Sequence, residues 1–87
     1  MYHYVRDLLR TRLVMEQVKI HPGSSLAGGS LVNSNLRQRF KVVVVGIKRS
    51  DGAMEFNPAP EAIMQAGDDL VVLGSGNSLK ELESAAK

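Results

Sequence analysis

The sequence predicts a small α+β domain with a mixed or antiparallel sheet, in the order β-α-β-β-(short α)-β-α, preceded by a linker helix. Three observations support this prediction. The chain of 87 residues is long enough for one small domain and too short for two. Apolar side chains repeat every second residue in some segments, as in half-buried strands, and every third or fourth residue in others, as in helices. Glycine and proline separate these segments.

The first segment, residues 1–13, has the pattern of an amphipathic helix. It contains no Gly or Pro, and Val5, Leu8 and Leu9 fall on one side with charged residues mostly opposite. A helix of this length is marginal in isolation, so its apolar side needs a surface to pack against. We expect residues 1–13 to be a linker helix from a larger chain and residues 14–87 to form the domain itself.

The first strand and the first helix of the domain follow. From Val14 to Ile20 apolar and polar residues alternate, which predicts a strand with one buried face. The turn-forming residues at 21–25 end it. Ser30 is a favourable N-cap, and the apolar spacing beyond it predicts one short helix over residues 30–39.

Two antiparallel strands are predicted next. Residues 41–48 contain four successive valines, so both faces of this strand carry apolar side chains and we expect it in the interior of the sheet. The dipeptide Asp51-Gly52 is typical of a tight hairpin. Residues 53–56 then predict a short strand that pairs with the first.

The last third of the chain predicts a buried strand and a helix. Pro58 and Pro60 break the sheet, and residues 61–65 allow at most a turn or two of helix. Residues 70–73 predict the final strand. Beyond the glycines that follow, we expect Asn77 or Ser78 to cap a C-terminal helix.

Composition excludes several classes of protein. Apolar residues make up 44% and charged residues 23%, as in folded soluble domains. The absence of cysteine excludes disulfides, thiolate catalysis and the common zinc frameworks. The only histidines, His3 and His21, have no carboxylate at metal-ligand spacing, so we expect neither a metal site nor an enzyme. Because so small a domain buries little surface alone, we expect a homodimer.

The chain shows no membrane-spanning or export signal. Its longest strongly apolar run, residues 42–47, is far shorter than the ~20 residues that a spanning helix requires. No basic segment followed by an apolar one opens the sequence. We therefore expect neither a membrane span nor a cleaved signal.

Acidic and glycine-rich motifs are best explained by structure. Adjacent strand residues point to opposite faces, so we expect Asp68 to bond turn amides and Asp69 to begin a strand, without forming a carboxylate pair. Residues 23–30 lack the terminal Lys-Ser/Thr of a phosphate loop, and residues 74–76 lack the third glycine of a dinucleotide-binding fingerprint.

The basic residues are concentrated early, although the net charge is only +2. Residues 37–41 hold three basic side chains around Phe40. Arg37 is either a cation at a helix end, where it meets the helix dipole favourably, or a group that binds an anionic ligand. With Lys48 and Arg49 this patch could contact nucleic acid, but with two Phe and two Tyr the chain offers few stacking platforms, which disfavours a nucleic-acid partner.

An ordered set of short motifs runs through residues 14–82. It comprises Gly23-Ser24-Ser25-Leu26-Ala27-Gly28, Ser30-Leu31, Asn35-Leu36-Arg37, Ile47-Lys48-Arg49, Asp51-Gly52, Asn57-Pro58 and Ala66-Gly67-Asp68-Asp69-Leu70-Val71-Val72-Leu73-Gly74. In this order and at these spacings the set resembles the C-terminal subdomain of regulators of potassium conductance, also called the TrkA-C domain.

The resemblance implies a function and a site. Members of that family are regulatory lobes, not enzymes, and lie on the cytoplasmic side of the cell membrane. They regulate potassium channels and transporters. In the chain they usually follow a Rossmann-like lobe, and they pair as homodimers. In one branch cyclic di-AMP binds at the dimer seam, against positions that correspond here to Leu31, Val32 and Arg37. The chain departs from the pattern at Val43, where that branch has a polar residue, and at Lys41, where glycine is usual.

The leading hypothesis is therefore a ligand-sensing, dimerising regulatory domain of a potassium channel or transporter, which acts through a ligand-linked change in dimer geometry. One alternative is a structural dimerisation module with no ligand. The other is a small nucleic-acid-binding domain.

Overall fold

The computed structural model describes residues 12–87 as a four-stranded sheet with three helices. The strands are β1 (Leu13–Lys19), β2 (Val43–Lys48), β3 (Met54–Phe56) and β4 (Asp69–Ser75), and the helices are α1 (Leu31–Ser34), α2 (Leu36–Phe40) and α3 (Gly76–Ala86). The sheet order is β1-β4-β2-β3, and each neighbouring pair is antiparallel. The predicted α+β class is confirmed.

The predicted linker helix over residues 1–13 lies outside the described residues except for its last two positions. Leu13 belongs to β1, where it pairs with Ser75. The first strand therefore begins one residue before the predicted boundary.

The interior position of β2 agrees with its valine-rich sequence. It pairs with β4 on one side and with β3 on the other. The turn between β2 and β3 contains Gly52 at φ +92°, a conformation that glycine adopts without strain. The Asp51 carboxylate accepts a hydrogen bond from the Ala53 amide at 2.9 Å, which closes this turn as the Asp-Gly motif predicts.

The single helix predicted over residues 30–39 is wrong, because the structure divides it into α1 and α2. Asn35 between them has φ 54° and ψ 40°, the left-handed conformation. Asparagine is one of the few residues that tolerate this conformation, so the chain can change direction there. The predicted N-cap is correct: the Ser30 hydroxyl accepts from the Asn33 amide at 3.1 Å.

The last strand and the last helix meet at a different residue from the predicted one. Strand β4 extends to Ser75, because its pairing with β1 continues to Leu13. Ser75 is extended and accepts a hydrogen bond from the Ser78 amide, so it caps α3 in place of Asn77 or Ser78 itself.

Residues 61–65 form a turn and an isolated bridge, with no helix. Their backbone groups bond across the domain to the segment that enters α1: Met64 N donates to Gly29 O, and Leu31 N donates to Ala62 O. Because these groups are already satisfied between the two segments, they are not available for helical bonds.

The core lies between one face of the sheet and the helices. Buried residues of α2 and α3 belong to the same cluster as buried residues of all three longer strands; its members include Leu36, Phe40, Leu79 and Leu82 from the helices and Val18, Ile47, Leu70 and Val72 from the sheet. The domain is therefore a two-layer structure.

Candidate functional site

An open cleft of about 330 Å³ lies where α1 and α2 meet the start of β2. Its lining includes Leu31, Val32, Asn35, Arg37, Val44 and Pro60. All three residues that the resemblance indicates as a ligand site therefore lie at one cleft. That they bind a ligand there stays a prediction.

The apolar wall of the cleft depends on how α1 is anchored. The first amide groups of a helix have no partner within the helix and must be satisfied elsewhere. Here Leu31 N donates to Ala62 O at 3.0 Å, and Val32 N donates to Pro60 O at 2.8 Å. These bonds hold the loop that carries Pro60 against α1. Val32, which is 56% exposed, is left facing solvent.

The left-handed turn at Asn35 brings Arg37 to the same cleft. In a straight helix Val32 and Arg37, five residues apart, would point about 140° away from each other. The turn gives α2 a new direction, and residues on both short helices can then line one depression. Sequence reasoning missed this break and the participation of Asn35, Val44 and Pro60; the high tolerance of asparagine for left-handed backbone was the available signal.

Arg37 differs from the other arginines of the described region. Arg39 donates to Ser34 O at 3.2 Å and lies 4.8 Å from the centre of the Phe40 ring. Arg49 forms ion pairs with Asp68 and Glu55, both at 2.7 Å. Among residues 12–87, the Arg37 side chain has no hydrogen bond or ion pair. Its guanidinium is therefore available to an anionic group in the cleft.

The two departures from the family pattern lie just after α2. Lys41 has φ 56° and ψ 46°, the left-handed region in which glycine is favoured. Its amide donates to Arg37 O at 3.0 Å, which ends the helix. Val43 is 55% exposed and pairs with Leu73, on the sheet face opposite to the core.

Asp68 has a structural role, as predicted. Its carboxylate is almost fully buried and accepts hydrogen bonds from Arg49 Nη1 at 2.7 Å, Gln65 N at 2.9 Å and Ser50 N at 3.3 Å. Burial opposes ionisation, but these hydrogen bonds and the charge of Arg49 outweigh it and lower the pKa of Asp68 below its ordinary value. The hydrogen bond to Asp68 likewise raises the pKa of Arg49.

The remaining candidates within residues 12–87 lie apart from the cleft, and His3 lies outside the described residues. Arg49 is committed to its ion pairs, so the basic residues at positions 37–49 do not form one free patch. His21 lines a smaller polar depression of about 270 Å³ with Glu83 and Lys87. Within residues 12–87, no group of three or more His, Asp or Glu side chains could hold a metal ion. No helix in that part of the chain is long and apolar enough to cross a bilayer.

The fold and the cleft together define a small α+β domain that presents an apolar pocket beside an available arginine. Comparison with known proteins gives its family: a model of the TrkA-C domain matches residues 15–87. The chain belongs to the TrkA-C domain family.

Relatives of known name are larger proteins. The chain is 30% identical over 70 residues to the K(+)/H(+) antiporter subunit KhtT of Bacillus subtilis, which covers 80% of this chain and 42% of that protein. It is 34% identical over 86 residues to the probable potassium channel protein 2 of Methanocaldococcus jannaschii, which covers 97% of this chain and 23% of that protein. The segments that match this chain thus make up less than half of each relative.

Among solved structures, the RCK_C domain dimer of S. agalactiae BusR in complex with c-di-AMP is similar to this chain. The TM-score is 0.77 at 18% sequence identity, and the match covers 84% of this chain and 89% of that one. A likeness at this level of identity establishes a common fold.

Proposed function

We propose that this chain is a ligand-sensing, dimerising regulatory domain of a potassium channel or potassium transporter, on the cytoplasmic side of the membrane. Its ligand site is the cleft that contains Leu31, Val32 and Arg37. The observation that carries the proposal is the position of Arg37, whose guanidinium has no partner among the described residues and stands beside an apolar wall.

The chemistry of the cleft favours a small ligand with an apolar ring and an anionic group. The volume of about 330 Å³ lies at the lower end of the ~300–1,000 Å³ range of small-molecule sites. Leu31, Val44 and Pro60 offer an apolar surface for a planar ring, and a guanidinium matches the geometry of a phosphate. Cyclic di-AMP has both features, and the BusR domain dimer is a structure in complex with that ligand.

The cleft is open, so a second copy would complete it. Val32 is more than half exposed at its edge, and an isologous dimer would place the same residues of the partner opposite. A ligand shared by two copies favours the dimer geometry that it fits best. The ligand can shift the equilibrium between two dimer geometries, and hence the state of the channel or transporter, by no more than the difference between its binding free energies for those geometries.

The relatives support the setting of the proposal. One is named as an antiporter subunit and another as a probable potassium channel, and the segment that matches this chain is less than half of each protein. We propose that in the full-length protein or complex this domain follows a Rossmann-like lobe and acts on a membrane protein. Its role is regulatory rather than catalytic.

Titration calorimetry with cyclic di-AMP tests the ligand, with NAD and Ca²⁺ as further probes. We expect one ligand per dimer and a loss of at least tenfold in affinity in Arg37→Gln, because charged hydrogen bonds contribute about 1.5–3 kcal/mol. Arg39→Gln is the matched control: the same charge is removed two residues away, from a side chain already engaged with Ser34. Equal effects of the two substitutions would contradict a site at Arg37.

Sedimentation analysis separates the alternatives. A monomer at high micromolar concentration, with or without ligand, would refute the proposal. A stable dimer that binds none of the probes would favour a structural dimerisation module. Salt-dependent binding to generic DNA or RNA would favour the nucleic-acid alternative.

A further inference from the structure

The face of the sheet opposite to the core carries a row of apolar side chains. Directly paired residues of neighbouring strands share a face. Met15 of β1 pairs with Leu73 of β4, which pairs with Val43 of β2, so these three side chains stand side by side across the sheet. Met15 is 58% exposed, Val43 is 55% exposed and Leu73 is half-buried.

Neighbouring positions extend this row into an apolar surface. Leu13 lies on the same face at the start of β1, and Phe56 of β3, which is 75% exposed, pairs with Gly46 on it. An antiparallel sheet with one solvated face normally alternates apolar and polar residues, with the polar ones outward. Here the outward polar residues are Gln17 of β1 and Ser75 of β4, together with a charged row at the far end, where Lys19, Asp69 and Lys48 pair.

We propose that residues 1–11 of this chain dock on this face and cover Met15, Leu73 and Val43. The segment joins β1 through Arg12, and the first residue of β1, Leu13, is itself part of the face. In its sequence, Leu8 and Leu9 follow Val5 at spacings of three and four residues. This spacing predicts an apolar stripe that could pack against the apolar face of the sheet.

The dimensions agree with this occupant. Three neighbouring strands span about 10 Å from the first axis to the third. Eleven residues in a helix measure about 16 Å, so a segment of this length can cross β1, β4 and β2. A covalent connection of one or two residues also gives the segment a high effective concentration at the face.

A second copy of the chain is a poorer fit for the same face. A stable protein interface takes about 20–30 residues from each partner. The apolar surface contains Leu13, Met15, Val43, Leu73 and Phe56 with a few half-buried neighbours, and a charged row bounds it. One short amphipathic segment is enough to cover it. Met15, Leu73 and Val43 do not line the cleft, so this face is a different surface from the proposed ligand site.

Disulfide trapping tests the proposal cleanly, because the chain contains no cysteine. Leu8→Cys combined with Leu73→Cys places one thiol on the predicted apolar stripe and one at the centre of the face. Asp7→Cys with Leu73→Cys is the matched control, with the thiol on the charged side of the segment. Under mild oxidation of the 87-residue chain, we expect the Leu8 pair to form an intramolecular disulfide several-fold faster than the Asp7 pair.

Thermal unfolding provides a second measurement. Leu8→Asp should lower Tm by about 5 °C, and Asp7→Asn should leave it unchanged. Preferential disulfide-linked dimers of the Leu73→Cys single variant would show that a second copy covers the face and would overturn the proposal. Equal trapping of the two pairs, together with an unchanged Tm for Leu8→Asp, would overturn it as well.

Discussion

Replacing Asp68 by Asn tests the ion pair that joins the β2–β3 hairpin to the loop before β4. The carboxylate is 1% exposed and accepts from Arg49 Nη1 at 2.7 Å and from Gln65 N at 2.9 Å. The amide side chain of the variant carries no negative charge. Its NH₂ group would face N–H groups that now donate to the carboxylate, such as those of Arg49 and Gln65. Removing one charge of a buried pair costs about 3–5 kcal/mol. Because Arg49 keeps its ion pair with Glu55, we expect about 3 kcal/mol, the lower end.

Urea unfolding followed by far-ultraviolet circular dichroism measures this loss, since the chain has no tryptophan. All variants are compared at one protein concentration, because dimerisation would contribute to stability. Asp69→Asn is the control. Its ion pair with Lys19 measures 3.4 Å and the lysine side chain is 52% exposed, so we expect a change below about 0.5 kcal/mol. Equal losses in the two variants would refute the reasoning from burial.

The lowered pKa of Asp68 also predicts the pH dependence of stability. A carboxylate whose pKa is lower in the folded state contributes stability that is present above its unfolded pKa of about 3.9. That contribution is lost as the pH falls through the folded pKa. Below about pH 4 the wild type should therefore lose urea stability more steeply than Asp68→Asn, and parallel profiles would contradict the assignment.

Three further substitutions test a left-handed residue, a helix cap and a close packing contact at a glycine. Lys41→Gly should raise the free energy of unfolding by about 1 kcal/mol in the same urea assay, because Lys41 has φ 56°; a loss of stability would contradict the left-handed assignment. Ser75→Ala should cost about 1 kcal/mol by removing the cap of α3, and no change would show that the cap contributes nothing. Gly74→Ala should cost about 1–3 kcal/mol, because its Cβ would lie 2.9 Å from Val42 Cγ1. Its control, Gly76→Ala, meets no atom within 4 Å and should be neutral or slightly stabilising.

The sheet was predictable from local signals. Alternation marks β1, the valine run marks an interior strand, and Asp51-Gly52 fixes the hairpin and hence the antiparallel pairing of β2 and β3. The order β1-β4-β2-β3 depends on contacts between distant segments, for which the pattern holds no local signal. The same limit explains why the cap of α3 was predicted at Asn77 or Ser78 and not at Ser75. Strand β4 continues to Ser75 because that residue pairs with Leu13, which is a contact between distant segments.

The cleft was predictable only through the family resemblance. That resemblance selected Leu31, Val32 and Arg37, and the structure brings all three to one depression. Their periodicity argues against this grouping, because a continuous helix would separate Val32 from Arg37. The break at Asn35 has a local cause in asparagine's tolerance for left-handed backbone, but asparagine also occurs in helices at a modest cost, so this one residue does not by itself distinguish a broken helix from a continuous one.

The position of Arg37 therefore depends on the backbone conformations of Asn35 and Lys41 more than on the packing of its own side chain. The five-residue helix α2 begins after Asn35 and ends before Lys41, and both have positive φ. Leu36 and Phe40 anchor α2 to the core, and the two left-handed residues set the direction in which it leaves α1 and enters β2. Because glycine adopts the conformation of Lys41 more easily, Lys41→Gly should stabilise the domain without moving Arg37. The departure at Lys41 thus affects stability, and we propose that any ligand selectivity of the cleft depends on the apolar residues around Arg37.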